Sequence, residues 1–334
     1  MPIIELPALR SDDALGFLAG LGLVEVCTTG LGLDVRLGWD GLGGAGLLVS
    51  EFLDTRELAT AAHGLVSTWR AESRVAVPSN PTFIRPRLSD AERKERIREL
   101  GAKPPNDPMR MDRESARARF SEQRESELAG DRAGARWLAG LVAQLAIVEK
   151  GSSIPYCDLT PLYAPAGQQT LFQLYEKYAN IVAASPRWVE EALTGWQRSD
   201  SDSGANLDYR DARDAAASSS GGSEYAGVPG TTWLALQSVP YFRLIGNGSQ
   251  GGAVGWRTRR GSRPRTLHWP VWQPPLSPAA IGVLLDHPAV AVDDSEDLDP
   301  GCLHALGVTA VLQAQRRSMG NSDGPLQPPR VLWP

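Results

Sequence analysis

Trp256-Arg-Thr-Arg-Arg-Gly-Ser-Arg-Pro-Arg-Thr-Leu-His-Trp-Pro-Val-Trp272 holds five arginines and three tryptophans and has no acidic residue. Its second half, Thr266 to Trp272, reads as a β-strand, and Tyr241 to Ile245 upstream reads as another. Between them, Asn247-Gly248 and Gly251-Gly252 are turn signals, and a return strand leads into the arginines. Helical periodicity dominates other parts of the chain, apart from these short strands. The expected class is therefore α+β: mixed helices with short antiparallel strands, in two portions joined by a flexible loop.

The chain of 334 residues carries a formal net charge of −5. A concentrated positive segment on an acidic protein is a local device. Guanidinium groups bind phosphate bidentately and stack on aromatic or base faces, which ammonium groups do poorly. Arg257, Arg259, Arg260, Arg263 and Arg265, interleaved with Trp256, Trp269 and Trp272, suit a phosphate backbone with stackable bases. His268, beside them, has two readings: phosphate contact or strand packing. The whole segment also has a structural reading, as a hairpin whose arginines pair with acidic patches such as Asp293 to Asp299.

Working outward, Ile3 to Leu6 is a short strand, and Ser11-Asp12-Asp13 offers N-cap chemistry for a helix through Cys27. Val35 to Trp39 and Leu47 to Val49 are strand candidates, and Thr55 to Ala71 is a helix with one apolar face. Asp90 to Leu100 follows the capping box Ser89-x-x-Glu92; its scarcity of apolar side chains predicts a projecting helix. The mixed charges from Arg85 to Arg136 read as a solvated helical face, and Asp131 to Val148 as a buried helix. Gln168 to Ala184 is a further helix, and Pro186 opens another to Trp196. Ser277 caps a helix through Leu285, Val308 to Gln313 forms a last strand, and Asn321 to Pro334 reads as a proline-rich tail. The expected organisation is an N-terminal α/β portion (1–150), a helical segment (151–198), a flexible loop (199–230) and a C-terminal portion (231–334).

Signatures of catalysis are scarce. There is no GxxxxGK[ST], HExxH, GxSxG or CxxC, and neither Gly30-Leu-Gly32 nor Gly41-Leu-Gly43 extends to GxGxxG. Cys27, Cys157 and Cys302 are odd in number and far apart, which favours a reducing compartment. His63 reads as a core or boundary residue. His287 and His304 flank Asp293, Asp294, Glu296, Asp297 and Asp299, a set that could form a metal-dependent nuclease site or simply be solvated. Asp208, Asp211 and Asp214, alternating with Arg210 and Arg213, read as a surface ion-pair ladder on a helix. No stretch approaches 18 apolar residues and no basic-then-apolar leader opens the chain, so a cytoplasmic protein with no membrane contact is expected.

Two stretches carry a resemblance. One is Leu6-Pro-Ala-Leu-Arg-Ser-Asp-Asp-Ala-Leu-Gly-Phe-Leu-Ala-Gly-Leu-Gly-Leu with Arg36-Leu-Gly-Trp39. The other is Trp233-Leu-Ala-Leu-Gln-Ser-Val-Pro-Tyr-Phe followed by the Arg/Trp segment through Trp269-Pro-Val-Trp-Gln-Pro-Pro-Leu-Ser277. Asn206-Leu-Asp-Tyr-Arg-Asp-Ala-Arg-Asp214 and Ala166-Gly-Gln-Gln-Thr170 fit the same pattern. The chain resembles CRISPR-associated proteins of type I systems of subtype G (formerly U), a helicase-nuclease "extension" family similar to large subunits of the RNA-guided surveillance (Cascade) complex. The resemblance implies a non-catalytic subunit that contacts target DNA and guide RNA, sits among other Cascade subunits and helps recruit the helicase-nuclease. On that reading the five arginines hold phosphates, while Asn247 and Gln250 reach base edges. It implies no cofactor, no metal and no catalytic residue. The alternatives are an adaptor that holds the helicase-nuclease without touching DNA, and a metal-dependent nuclease built on Asp293 and Asp294.

Overall fold

A computed structural model describes residues 1–71, 88–101, 105–130, 132–148, 154–164, 169–200, 202–210, 225–258, 265–290, 298–319 and 322–334. In chain order the elements are β1 (Ile3–Arg10), α1 (Ala14–Glu25), β2 (Arg36–Trp39), β3 (Ala45–Val49), α2 (Thr55–Ala71), α3 (Asp90–Leu100), α4 (Arg113–Leu128) and α5 (Arg132–Leu141). There follow β4 (Ile147–Val148), β5 (Tyr156–Cys157), α6 (Leu171–Ala184), α7 (Arg187–Thr194), β6 (Ser199–Asp200), β7 (Ala226–Gly227) and α8 (Pro229–Leu236). The C-terminal part adds β8 (Leu244–Gly246), β9 (Gly251–Ala253), β10 (Trp256–Thr258), β11 (Arg265–Trp272), α9 (Pro278–Leu285), α10 (Pro300–Ala305), β12 (Val308–Met319), β13 (Ser322–Leu326) and β14 (Arg330–Trp333). The α+β class expected from the sequence is the observed one.

The centre of the molecule is α1. Asp13 caps it by accepting a hydrogen bond from the Gly16 amide, and all twelve of its residues are buried. A helix apolar all round must be enclosed on every side, and α1 is. On one side lies α8, itself buried along its whole length. Gly22 lets the two backbones meet: a Cβ there would stand 1.7 Å from the Leu234 carbonyl oxygen. On the other side lie the aromatic rings of Phe17, Trp39, Trp269 and Trp272, with centroids 5.7–6.1 Å apart. Beyond its last turn the helix continues as a π-helical turn, Val26–Gly30.

Two antiparallel sheets flank this core. A small one has the order β1-β3-β2; the large one runs β13-β12-β11-β10-β9-β8, with β14 also pairing β12. The backbone bridge between Leu37 and Leu276 joins them, as do the indole donors of Trp269 to the Ser11 carbonyl (2.9 Å) and of Trp272 to the Leu37 carbonyl (2.7 Å). One continuous apolar cluster therefore runs from Ile4 to Leu326, and the boundary expected near residue 150 does not separate two cores.

Several expectations need correction. The helix expected over Asp131 to Val148 ends at Leu141, and the chain turns through Gln144–Ala146 into β4. The strand expected from Tyr241 begins at Leu244, because Val239–Tyr241 forms a 3-10 turn. The last strand runs well past Gln313, and the expected tail supplies β13 and β14, which use the free edge of that longer strand. Within the expected flexible loop, 199–200 pairs with 226–227 and α8 begins at Pro229; residues 201 and 211–224 lie outside the described residues.

Asp208 and Arg210 are an interior clamp, in a turn and not on a helix. Asp208 is 1% exposed and accepts from Arg198 (2.8 Å) and Arg210 (3.1 Å). Arg210 also donates to Asp13 and lies over the Trp196 ring at 4.8 Å. A carboxylate that deep is retained only with its cations. Asp211, Arg213 and Asp214 fall outside the described residues.

Candidate nucleic-acid interface

Strand register decides what the arginine segment presents. β11 pairs with β12 from Thr266↔Gln315 to Val271↔Ala310, and β10 pairs with β11 as Trp256↔Leu267, Arg257↔Thr266 and Thr258↔Arg265. Residues directly opposite share a face, and side chains alternate along a strand. One face thus carries Trp256, Leu267, Trp269, Ala314 and Leu312, all buried against the core. The other carries two rows, Arg257–Thr266–Gln315 and His268–Gln313–Arg330, with Arg317 beyond them. This second face is closed where Pro270 and Val311 are buried and opens progressively: Gln313 is half-buried, while Gln315, Arg317 and Arg330 are exposed. None of these strand positions holds an acidic side chain.

The tryptophans are therefore not platforms for bases. Trp256 is 3% exposed, and its ring is covered by the Arg316 guanidinium at 5.2 Å. Trp269 and Trp272 are fully buried in the α1 aromatic cluster. His268, at 3% exposure, is walled off from a phosphate; of its two readings, strand packing is the one the structure supports.

Arg316, which the sequence does not single out, is the interior counterpart of the surface arginines. It donates to four carbonyls, those of Pro161, Leu162, Asn206 and Gly324, each at 3.0 Å. Burial pushes its pKa down to about 9, because the charged form loses its hydration. Arg265 shares its side of the sheet and stands 3.8 Å from Asp323, which leaves it half-buried and paired. Arg257 is half-buried on the open face, and its Nε–H has no hydrogen-bond acceptor among the described residues. Arg259, Arg260 and Arg263 lie in 259–264, outside the described residues, between the paired ends Thr258 and Arg265.

Asn247 and Gln250 are exposed in the β8–β9 turn. The Asn247 side-chain oxygen is committed to that turn, accepting from the amides of Ser249 (3.0 Å) and Gln250 (2.9 Å). The pairing Ala253↔Trp256 places this turn at the same end of the sheet as the β10–β11 connection. That end also holds the β12–β13 connection. The structure thus gathers Asn247, Gln250, Arg257 and Arg265 at one end of one sheet. It adds Gln313, Gln315, Arg317 and Arg330. Their signal in the sequence was the alternation of Gln313-Ala314-Gln315-Arg316-Arg317, which extends the strand period past Gln313.

The described candidate metal ligands, Asp299, His287 and His304, each serve local structure. Asp299 caps α10 through the Gly301 and Cys302 amides, His304 packs on Trp333 at 5.0 Å, and His287 accepts from the Ala289 amide. Asp293, Asp294, Glu296 and Asp297 lie outside the described residues, and among the described ones no group of three or more potential ligands converges. No helix among the described residues is long and apolar enough to cross a membrane. Fold and site together define an α+β protein with an arginine-bearing sheet face whose described strand positions hold no carboxylate. No family model and no curated protein matches the chain.

Proposed function

We propose that the chain is a non-catalytic nucleic-acid-binding subunit of a type I CRISPR surveillance complex, which contacts target DNA and guide RNA and helps recruit the helicase-nuclease. The observation that supports nucleic-acid contact is the open sheet face: Arg257, Arg317 and Arg330 with Thr266, Gln313 and Gln315, and no carboxylate at its described strand positions, on a protein of net charge −5. Local positive potential on an acidic body confines a polyanion to one place and leaves the remaining surface repulsive to it. Placement within a CRISPR complex rests on the sequence resemblance.

The test is salt-titrated binding of the purified chain to single- and double-stranded DNA and to RNA. It is run beside Arg257→Ala/Arg317→Ala/Arg330→Ala. Removing one phosphate partner of a single strand lowers the log–log salt slope by about 0.7, so the triple variant should fall short of wild type by roughly two units. If wild type binds none of these nucleic acids, the face holds protein, and the adaptor reading replaces this one.

A further inference from the structure

α3 covers a cleft without packing into it. A cavity of about 330 Å³ lies between the helix and the body, lined by Glu92, Arg96 and Glu99 from the helix and by Pro108, Met111 and Tyr156 from the body. Among the described side chains of α3 none is buried; Ile97 is 38% exposed and stands outside the apolar core. We infer that α3 is a lid, latched over this cleft by Arg96, that swings away as an intact helix and uncovers the wall of Pro108, Met111 and Tyr156. The device is independent of the arginine-bearing sheet face.

The latch is polar and small. Arg96 donates through Nη2 to Asp112 (2.7 Å) and Ser115 (2.9 Å), and through Nη1 to Glu99 of its own helix (2.9 Å). Arg93 adds one bond to Asn106 (2.9 Å). Among the described residues no other side-chain hydrogen bond or ion pair ties α3 to the body. An ion pair open to water favours the closed arrangement by no more than about five-fold, and salt screens it.

Release strands no fully buried group. Asp112 keeps the amide (2.9 Å) and hydroxyl (3.1 Å) of Ser115, so α4 retains its N-cap. Asp112 and Asn106 are both partly exposed, and water can replace the departing guanidinium groups.

The helix also carries its own ends. A helix of 11 residues is marginal alone, but α3 has the Ser89/Glu92 capping box and a left-handed Gly101, whose amide donates to the Ile97 carbonyl (2.9 Å). Asp90 and Glu92 in its first turn and Arg98 in its last complement the helix dipole. All of these contacts are local, so they persist when the helix leaves the body.

The experiment places nitroxides at Ile97→Cys on α3 and Arg117→Cys on α4, both exposed positions, in the full chain carrying Cys302→Ser. Electron–electron distances are measured at low salt and at about 1 M NaCl, with and without Arg96→Ala. At low salt the closed distance should dominate. The ratio of a longer distance to the closed one should rise about five-fold in high salt, and by a similar factor in Arg96→Ala at low salt. The melting temperature should stay unchanged, and the α3 amides should remain protected from hydrogen exchange. One distance, unchanged by salt and by Arg96→Ala, overturns the lid. Opening by salt but not by Arg96→Ala overturns Arg96 as the latch. Loss of α3 amide protection or a lower melting temperature on opening shows unfolding in place of a swing, and overturns the inference too.

Discussion

Replacing Gly22 with alanine tests whether α1 and α8 really share a backbone contact. The added methyl would stand 1.7 Å from the Leu234 carbonyl oxygen and 3.3 Å from the Gln237 Cβ. Side-chain carbons do not approach closer than 3.0 Å, so the helices must separate by about 1.3 Å. Neither has room to retreat, because every residue of both is buried. A radial gap of 0.5–1 Å already forfeits roughly a quarter to a half of each van der Waals contact, and overpacking typically costs about 1–3 kcal/mol. Here the obstacle is backbone, so about 3 kcal/mol or more is expected, equivalent to roughly 4 °C in melting temperature for a chain of 334 residues. Gly64→Ala is the internal control. Gly64 lies in α2, where a methyl would meet no atom within 4 Å, and alanine there should stabilise by about 0.5–1 kcal/mol. The assay is calorimetric or denaturant-induced unfolding of both variants beside wild type. If Gly22→Ala melts within about 1 °C of wild type, or Gly64→Ala destabilises equally, the two helix backbones do not touch at Gly22.

Arg316→Met should destabilise by about 3 kcal/mol or more, since it strands four carbonyls that now accept from one guanidinium, each group left without a partner costing about 1–3 kcal/mol. Denaturant midpoints measure this, and a neutral result would mean the four carbonyls find other donors. The cysteines supply a third test. Burial raises the Cys27 thiol to about 12 and Cys157 to about 11, while Cys302 is partly exposed. A thiol reagent at neutral pH should modify Cys302 first and the other two only on unfolding; prompt reaction of all three would refute the buried placement.

Elements with a strong local signal were legible in the chain. The Ser89/Glu92 capping box, the Thr170 cap of α6 and the Ser277 cap of α9 lie within a few residues of the expected helix starts, because a cap is a contact among neighbours. The charged α3 is held to the body by polar groups, Arg93 to Asn106 and Arg96 to Asp112, in keeping with its lack of apolar residues. The candidate site was legible only in outline. The arginine cluster marks the right hairpin, yet composition alone points Trp256 and His268 at the ligand, and Gln313, Gln315, Arg317 and Arg330 lie beyond the cluster in sequence.

The α+β class, the positions of most helices and the concentration of arginine between Trp256 and Trp272 follow from local composition and period. Which side of that segment meets solvent depends on contacts between residues far apart in the chain. Alternation along a strand defines two faces but not which one is covered, and the cover here is α1 with Phe17 and Trp39, more than 200 residues away in the chain. Burial of Trp269 and Trp272 against those rings turns Arg257, Gln313, Gln315 and Arg317 outward, because successive side chains of a pleated strand must point to opposite sides.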